Sequence, residues 1–107
     1  MNIDEWAAEL CGVKVYEKLL YVANDGDRHT ASYCWVRNNN FPWTIKDPRC
    51  REIVREHFRI ELEYDGLGTW VACEFEKRSL GWKYTGQGKT IAEAEIACIE
   101  AIYEASK

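Results

Sequence analysis

An α+β fold, with an antiparallel sheet covered by helices in a single layered domain, is what this sequence predicts. Three observations carry the prediction. Apolar residues recur at helical spacing in three separate stretches, near the start, in the middle and at the end. Between them the pattern changes to alternation with a period of two, broken by clusters of Asn, Asp and Gly. The strands also follow one another directly, which favours antiparallel pairing over a parallel sheet with crossover helices. The predicted order is α-β-β-α-β-β-β-α. A length of 107 residues suits one domain spanning 1–107 and is short for two.

Ile3 to Cys11 reads as the first helix, with Asp4 as its cap, Gly12 as its end, and Ile3, Trp6, Ala7, Leu10 and Cys11 on one face. A β-rich stretch follows. Val13 and Val15 alternate with polar residues, and Leu19-Leu20-Tyr21-Val22-Ala23 is an apolar run. Asn24-Asp25-Gly26-Asp27 signals a turn, His29 also reads as a turn residue, and Tyr33-Cys34-Trp35-Val36 is the returning strand. Arg37 to Asn40 and Phe41-Pro42-Trp43 read as a polar and then proline-broken loop.

Asp47-Pro48 opens the second helix, since proline at the first helical position lacks only an N–H that would have no partner there. Cys50, Ile53, Val54, His57 and Phe58 form its apolar side, and Arg49, Arg51, Glu52, Arg55 and Glu56 fill the other. Ile60 to Tyr64 alternates, Asp65-Gly66 turns, and Thr69 to Glu76 is a second strand. Ser79-Leu80-Gly81 turns again into a short strand, Trp82-Lys83-Tyr84. The last helix runs from Thr90 to Ala105 with Ile91, Ala94, Cys98, Ile102 and Ala105 on its apolar side. Glu95 falls on that same side. It either reaches water at the rim, the preferred reading, or faces a ligand cavity.

Composition excludes some functions. A net charge of -4 argues against general nucleic-acid binding, which needs a basic surface. No stretch reaches the ~20 apolar residues of a membrane span, and the acidic start MNIDEWAAEL lacks the features of a signal peptide, so the cytoplasm is expected. Cys11, Cys34, Cys50, Cys73 and Cys98 are odd in number and widely spaced, without a C-x-x-C pair. They read as small buried hydrophobes, and no metal or other cofactor is expected.

The stretch Gly86-Gln87-Gly88-Lys89-Thr90 ends like a phosphate-binding loop. The loop motif requires its first glycine at position 83, where Lys83 stands, so an NTPase is rejected. Two readings stay open. In one, a glycine turn runs into a Thr90 cap that Glu93 completes as a capping box. In the other, the helix N-terminus and lysines hold an anion, and Trp82, Lys83, Tyr84, Gln87, Gly88, Lys89 and Thr90 form a site for a small nucleotide-type ligand. Separately, Glu61, Glu63, Glu74 and Glu76 on adjacent strands would form an acidic face for a basic host protein, or simply a solvated one. No catalytic constellation is visible. Cys50 and His57 lie two helical turns apart, about 10 Å, and Asp25-Gly26-Asp27 lacks the closing Glu of a calcium loop.

Two family resemblances add to this. Residues 49–105 resemble the double-stranded RNA-binding domain, which runs helix, three strands, helix; the pattern opening its last helix, G-x-G-x-S-K-K-x-A-K, stands here as G-Q-G-K-T-I-A-E-A-E. Ile91, Ala92 and Glu95 replace its basic residues, so the resemblance reaches the fold and not the phosphate contacts. The whole chain more closely resembles the phage ABA-sandwich family. The matching features are Leu10-Cys11-Gly12-Val13-Lys14-Val15, Phe41-Pro42-Trp43, the Trp70-to-Phe75 strand and the Thr90 to Cys98 helix start. That resemblance implies a layered α-β-α domain, a phage or prophage origin and no catalytic residues. The expected role is then an accessory protein that binds a host protein, as an antagonist of host defence, or sequesters a nucleotide-type signal. The stretch Asn24 to Asn40 departs from the family pattern, and the many aromatics make a homodimer unsurprising.

Overall fold

The computed structural model describes residues 2–76 and 81–107; the side chains of residues 75, 76 and 81–83 are outside the description. The fold is α+β, with three helices and two antiparallel three-stranded sheets among the described residues. The chain divides into two compact units, residues 1–47 and 48–107. The turn expected at Ser79-Leu80-Gly81 falls mostly outside the described residues.

The first unit opens with helix α1, Ile3–Cys11. Its cap is Asn2, not Asp4: the Asn2 side chain accepts the Glu5 N–H at 2.8 Å. Asp4 is drawn elsewhere. Its carboxylate accepts the Ile45 N–H at 2.9 Å, and its carbonyl accepts the Trp43 indole N–H at 2.7 Å. These two bonds tie the helix to the segment after the sheet. Gly12 ends the helix in the left-handed region, φ 69°.

Strands β1 (Val15–Val22), β2 (Arg28–Val36) and β3 (Asn39–Pro42) form the first sheet in that order. β3 lies where the sequence reads as a loop. The reason is a two-residue turn: Arg37 and Asn38 both have positive φ, 52° and 66°, as a type I′ hairpin requires. Asn tolerates that region, but without the usual glycine the signal is faint. His29, expected in a turn, stands on β2 opposite Tyr21. The register shifts between Leu19 and Tyr21, a bulge around Leu20.

The second unit runs α2 (Pro48–Phe58), β4 (Ile60–Tyr64), β5 (Trp70–Glu76), β6 (Gly81–Gly88) and α3 (Ile91–Ala105). Asp65 shapes the β4–β5 turn by accepting the Leu67 and Thr69 N–H groups at 2.7 and 3.0 Å. Those bonds, that of Leu67 first, hold its carboxyl below the usual range.

β6 is longer than the sequence suggests. Gly86 and Gly88 are not a turn; they are strand residues opposite Ala72 and Trp70. A Cβ on Gly86 would stand 2.2 Å from the Cys98 backbone nitrogen, and one on Gly88 would stand 2.4 Å from the Glu93 Cβ. The glycines therefore let α3 lie directly on the strand. The residues α3 buries are Ala94, Glu95, Cys98, Ile99 and Ile102.

Glu95 is buried, 4% exposed, and does not sit at the rim. Arg51, read as a solvent-side residue of α2, is buried with it at 6%. Glu95 accepts from Arg51 Nε at 3.5 Å and from Arg55 Nη1 at 3.3 Å. Position 95 on the apolar face is affordable only because two guanidinium groups from α2 reach it.

Candidate functional site

The end of β6 and the start of α3 form a helix cap. Thr90 Oγ1 accepts the Glu93 N–H at 3.1 Å. The Glu93 carboxylate turns back and accepts the Lys89 N–H at 2.8 Å. This is the expected T-x-x-E box displaced by one residue. It also puts a carboxylate where a bound anion would sit, beside the positive end of the helix. Tyr84 is half-buried on the strand, Gln87 is exposed opposite Val71, Gly88 faces α3, and Lys89 is exposed. The side chains of Trp82 and Lys83 lie outside the described residues.

The acidic face divides. Residues directly opposite in an antiparallel pair point the same way. Glu61 and Glu63 lie opposite Cys73 and Val71, whereas Glu74 lies opposite Ile60 and Tyr84. Glu74 therefore shares the face of Ala72 and Gly86, which α3 covers, and Glu61 and Glu63 share the other. The Glu76 side chain is outside the described residues.

The structure also separates Cys50 from His57. Cys50 is fully buried; His57 is exposed and meets Phe58 edge-on at 4.8 Å. The five thiols are free, and four of them are buried. Burial pushes the Cys98 thiol up to about 12 and also raises Cys73 and Cys11. A raised thiol holds less of the nucleophilic thiolate at neutral pH than a free cysteine does.

A different surface gathers chemistry. On the first sheet, Cys34 and Phe41 are buried on one face, with the Cys34 thiol donating to the Phe41 carbonyl at 3.6 Å. The opposite face is built by the register. Tyr16 lies opposite Tyr33, Lys18 opposite Ala31, Tyr21 opposite His29 and Trp35 opposite Asn40. Five rings thus share one face, and Trp35 and Tyr21 are 63% and 57% exposed.

Neighbouring contacts order this face. Tyr21 and His29 stack at 4.3 Å with rings 10° from parallel. The Tyr16 and Tyr33 rings are 6.5 Å apart, and the Lys18 ammonium stands 4.5 Å above the Tyr33 ring. The Asn40 amide donates to the Tyr16 hydroxyl and, at 3.0 Å, to the Cys34 carbonyl. Lys18 is the charged strand residue here, and none of the strand residues on this face is acidic. Such a face offers π-surfaces, one cation and an amide to a ligand that carries a ring and negative charge.

The sequence points to Trp82 and Tyr84, whereas these five rings lie on the first sheet. The spacing Tyr33-x-Trp35 puts two rings on one face of β2. No protein-family model, curated protein or solved structure matches this chain.

Proposed function

We propose that this chain is a cytoplasmic accessory protein of the phage or prophage type that acts by binding and not by catalysis. Its ligand in this reading is of nucleotide type, and the open face of the first sheet holds it. The observation that carries the reading is the set of five rings with Lys18 and without a strand carboxylate, in a chain of net charge -4. A base would stack on Trp35 or Tyr21, and Lys18 would leave the Tyr33 ring for a phosphate. The acidic-face route to a basic host protein has less support, because Glu74 faces the helix and Glu61 and Glu63 do not.

Thermal-shift titration against nucleotides and cyclic nucleotides tests the reading. Ligand at about 100 times its dissociation constant adds roughly 2.7 kcal/mol. A shift with one nucleotide class that disappears in Trp35→Ala is the expected result. No shift with any of them rejects a nucleotide ligand and leaves a protein partner or an RNA duplex to be tested.

A second reading has its own observation. Residues 48–105 run helix, three antiparallel strands, helix, with both glycines of the G-x-G pattern against the last helix. That is the order the double-stranded RNA-binding resemblance implies. Binding of an RNA duplex that weakens steeply with salt would favour it.

A further inference from the structure

The edge of the first sheet raises a separate question. All eight residues of β1 are exposed, and six of them are apolar or aromatic. Val15, Tyr16, Leu19, Leu20, Tyr21 and Val22 are between 38% and 57% exposed. An edge strand of this kind offers both apolar surface and backbone groups to another chain. Proteins usually guard such an edge with charged side chains. Here both charged residues are turned back over their own sheet. The Lys18 ammonium lies on the Tyr33 ring at 4.5 Å, and the Glu17 carboxylate accepts the Ser32 hydroxyl at 2.8 Å.

We infer that β1 is the surface on which a second copy of this chain binds, strand to strand and antiparallel, about a two-fold axis at Leu19. The register follows from symmetry. A two-fold axis relating two antiparallel edge strands stands perpendicular to the sheet, so one residue must lie opposite itself. The middle of Val15–Val22 lies between Lys18 and Leu19. An axis at Lys18 sets ammonium against ammonium, which is unfavourable; an axis at Leu19 sets two leucines together.

The bulge beyond Leu19 confines regular pairing to the residues near the axis. Apolar contact, more than a long ladder of hydrogen bonds, therefore supplies the association. With about 150–250 Å² on a whole aromatic side chain and less on an aliphatic one, the exposed fractions of these six leave on the order of 500 Å² per copy. Complete covering of all six in both copies would bury at most about 1,000 Å², the lower bound of specific interfaces, so the dimer is a weak one. This axis also keeps the aromatic faces of both copies on one side of a joined six-stranded sheet. The inference does not depend on what that face binds.

Sedimentation equilibrium of the full chain, from low concentration up to about 100 µM, tests it at the affinity such an area supports. The expected result is a dimer that Leu19→Lys converts to a monomer with an unchanged circular dichroism spectrum. A wild-type monomer at every concentration overturns the inference, as does a dimer that Leu19→Lys leaves intact. If Leu19→Lys fails to fold, cross-linking decides. Mild oxidation should join Leu19→Cys into a covalent dimer, while the wild type and Thr30→Cys, one strand in from the edge, stay single. Equal cross-linking of Thr30→Cys would overturn the axis.

Discussion

In the second sheet the strand beside the last helix presents Gly86 and Gly88; in the first sheet the face away from the buried side presents Tyr16, Tyr33 and Trp35. The difference is one of side-chain volume, and it decides what each sheet can do. Glycine on β6 lets the backbone of α3 come within the space of one methyl group. Large rings stand out from the strands, and Trp35 remains 63% exposed. The second sheet spends its face on stability. The first keeps Trp35 and Tyr21 more than half exposed on its face, and all eight residues of its edge strand β1 are exposed.

The sharpest way to break this comparison is to give β6 a side chain. Gly86→Ala places a methyl 2.2 Å from the Cys98 nitrogen and 2.6 Å from the Ala94 carbonyl oxygen. Both are helix backbone and cannot rotate aside. The expected loss is about 3 kcal/mol or more, at the upper end of overpacking costs. Urea unfolding followed by circular dichroism reads it. A loss under about 1 kcal/mol would mean that α3 slides freely on the sheet.

The next effect comes from the charge under that helix. Glu95→Gln keeps the volume and removes the anion that Arg51 and Arg55 share. With Arg51 only 6% exposed, the expected cost is about 3 kcal/mol. The same urea experiment measures it, and an unchanged midpoint would show that the two arginines do not need this carboxylate.

These two residues show what was legible in the sequence. The alternation in β4 and β5 and the helical spacing of α3 located those elements directly, because each has one wet face and one dry one. Glu95 was visible as an anomaly on the apolar side of α3. Its partners were not, since Arg51 and Arg55 lie 44 and 40 residues away and only the tertiary fold brings them close. The acidic face failed because strand register depends on the turn. A one-residue change in pairing moves every side chain to the other face.

The aromatic face of the first sheet was hidden for a related reason. Counting back from the turn, Val22 opposite Arg28 and Tyr21 opposite His29 would place Tyr16 opposite Cys34. The bulge at Leu20 moves it opposite Tyr33 instead. Nothing in Leu19-Leu20-Tyr21 marks a bulge, so the gathering of the rings could not be read from the pattern alone. The strand Asn39–Pro42 was missed because its turn uses Arg37-Asn38 where a glycine is the usual sign.

A smaller effect separates the two meanings of Gly86 to Thr90. If the Thr90 hydroxyl serves only the first turn of α3, Thr90→Ala should cost about 1 kcal/mol. Glu93→Gln should cost less, because Gln can still accept the Lys89 N–H now held at 2.8 Å. Thermal melts of both variants measure this. Stabilisation of the wild type by inorganic phosphate, abolished in both variants, would show an anion site where the structure places a cap.

The smallest expected effect tests the open half of the comparison. Trp35 is 63% exposed and lies opposite Asn40 on the aromatic face. Exposed positions of this kind shift stability by less than about 0.5 kcal/mol when truncated. Trp35→Ala should therefore melt with the wild type, although it removes the largest ring on the face. If it destabilises the protein by about 2 kcal/mol or more, the indole is packed in solution as a core residue would be. The first sheet would then be closed like the second, and its rings would serve the fold, leaving no open platform for a base.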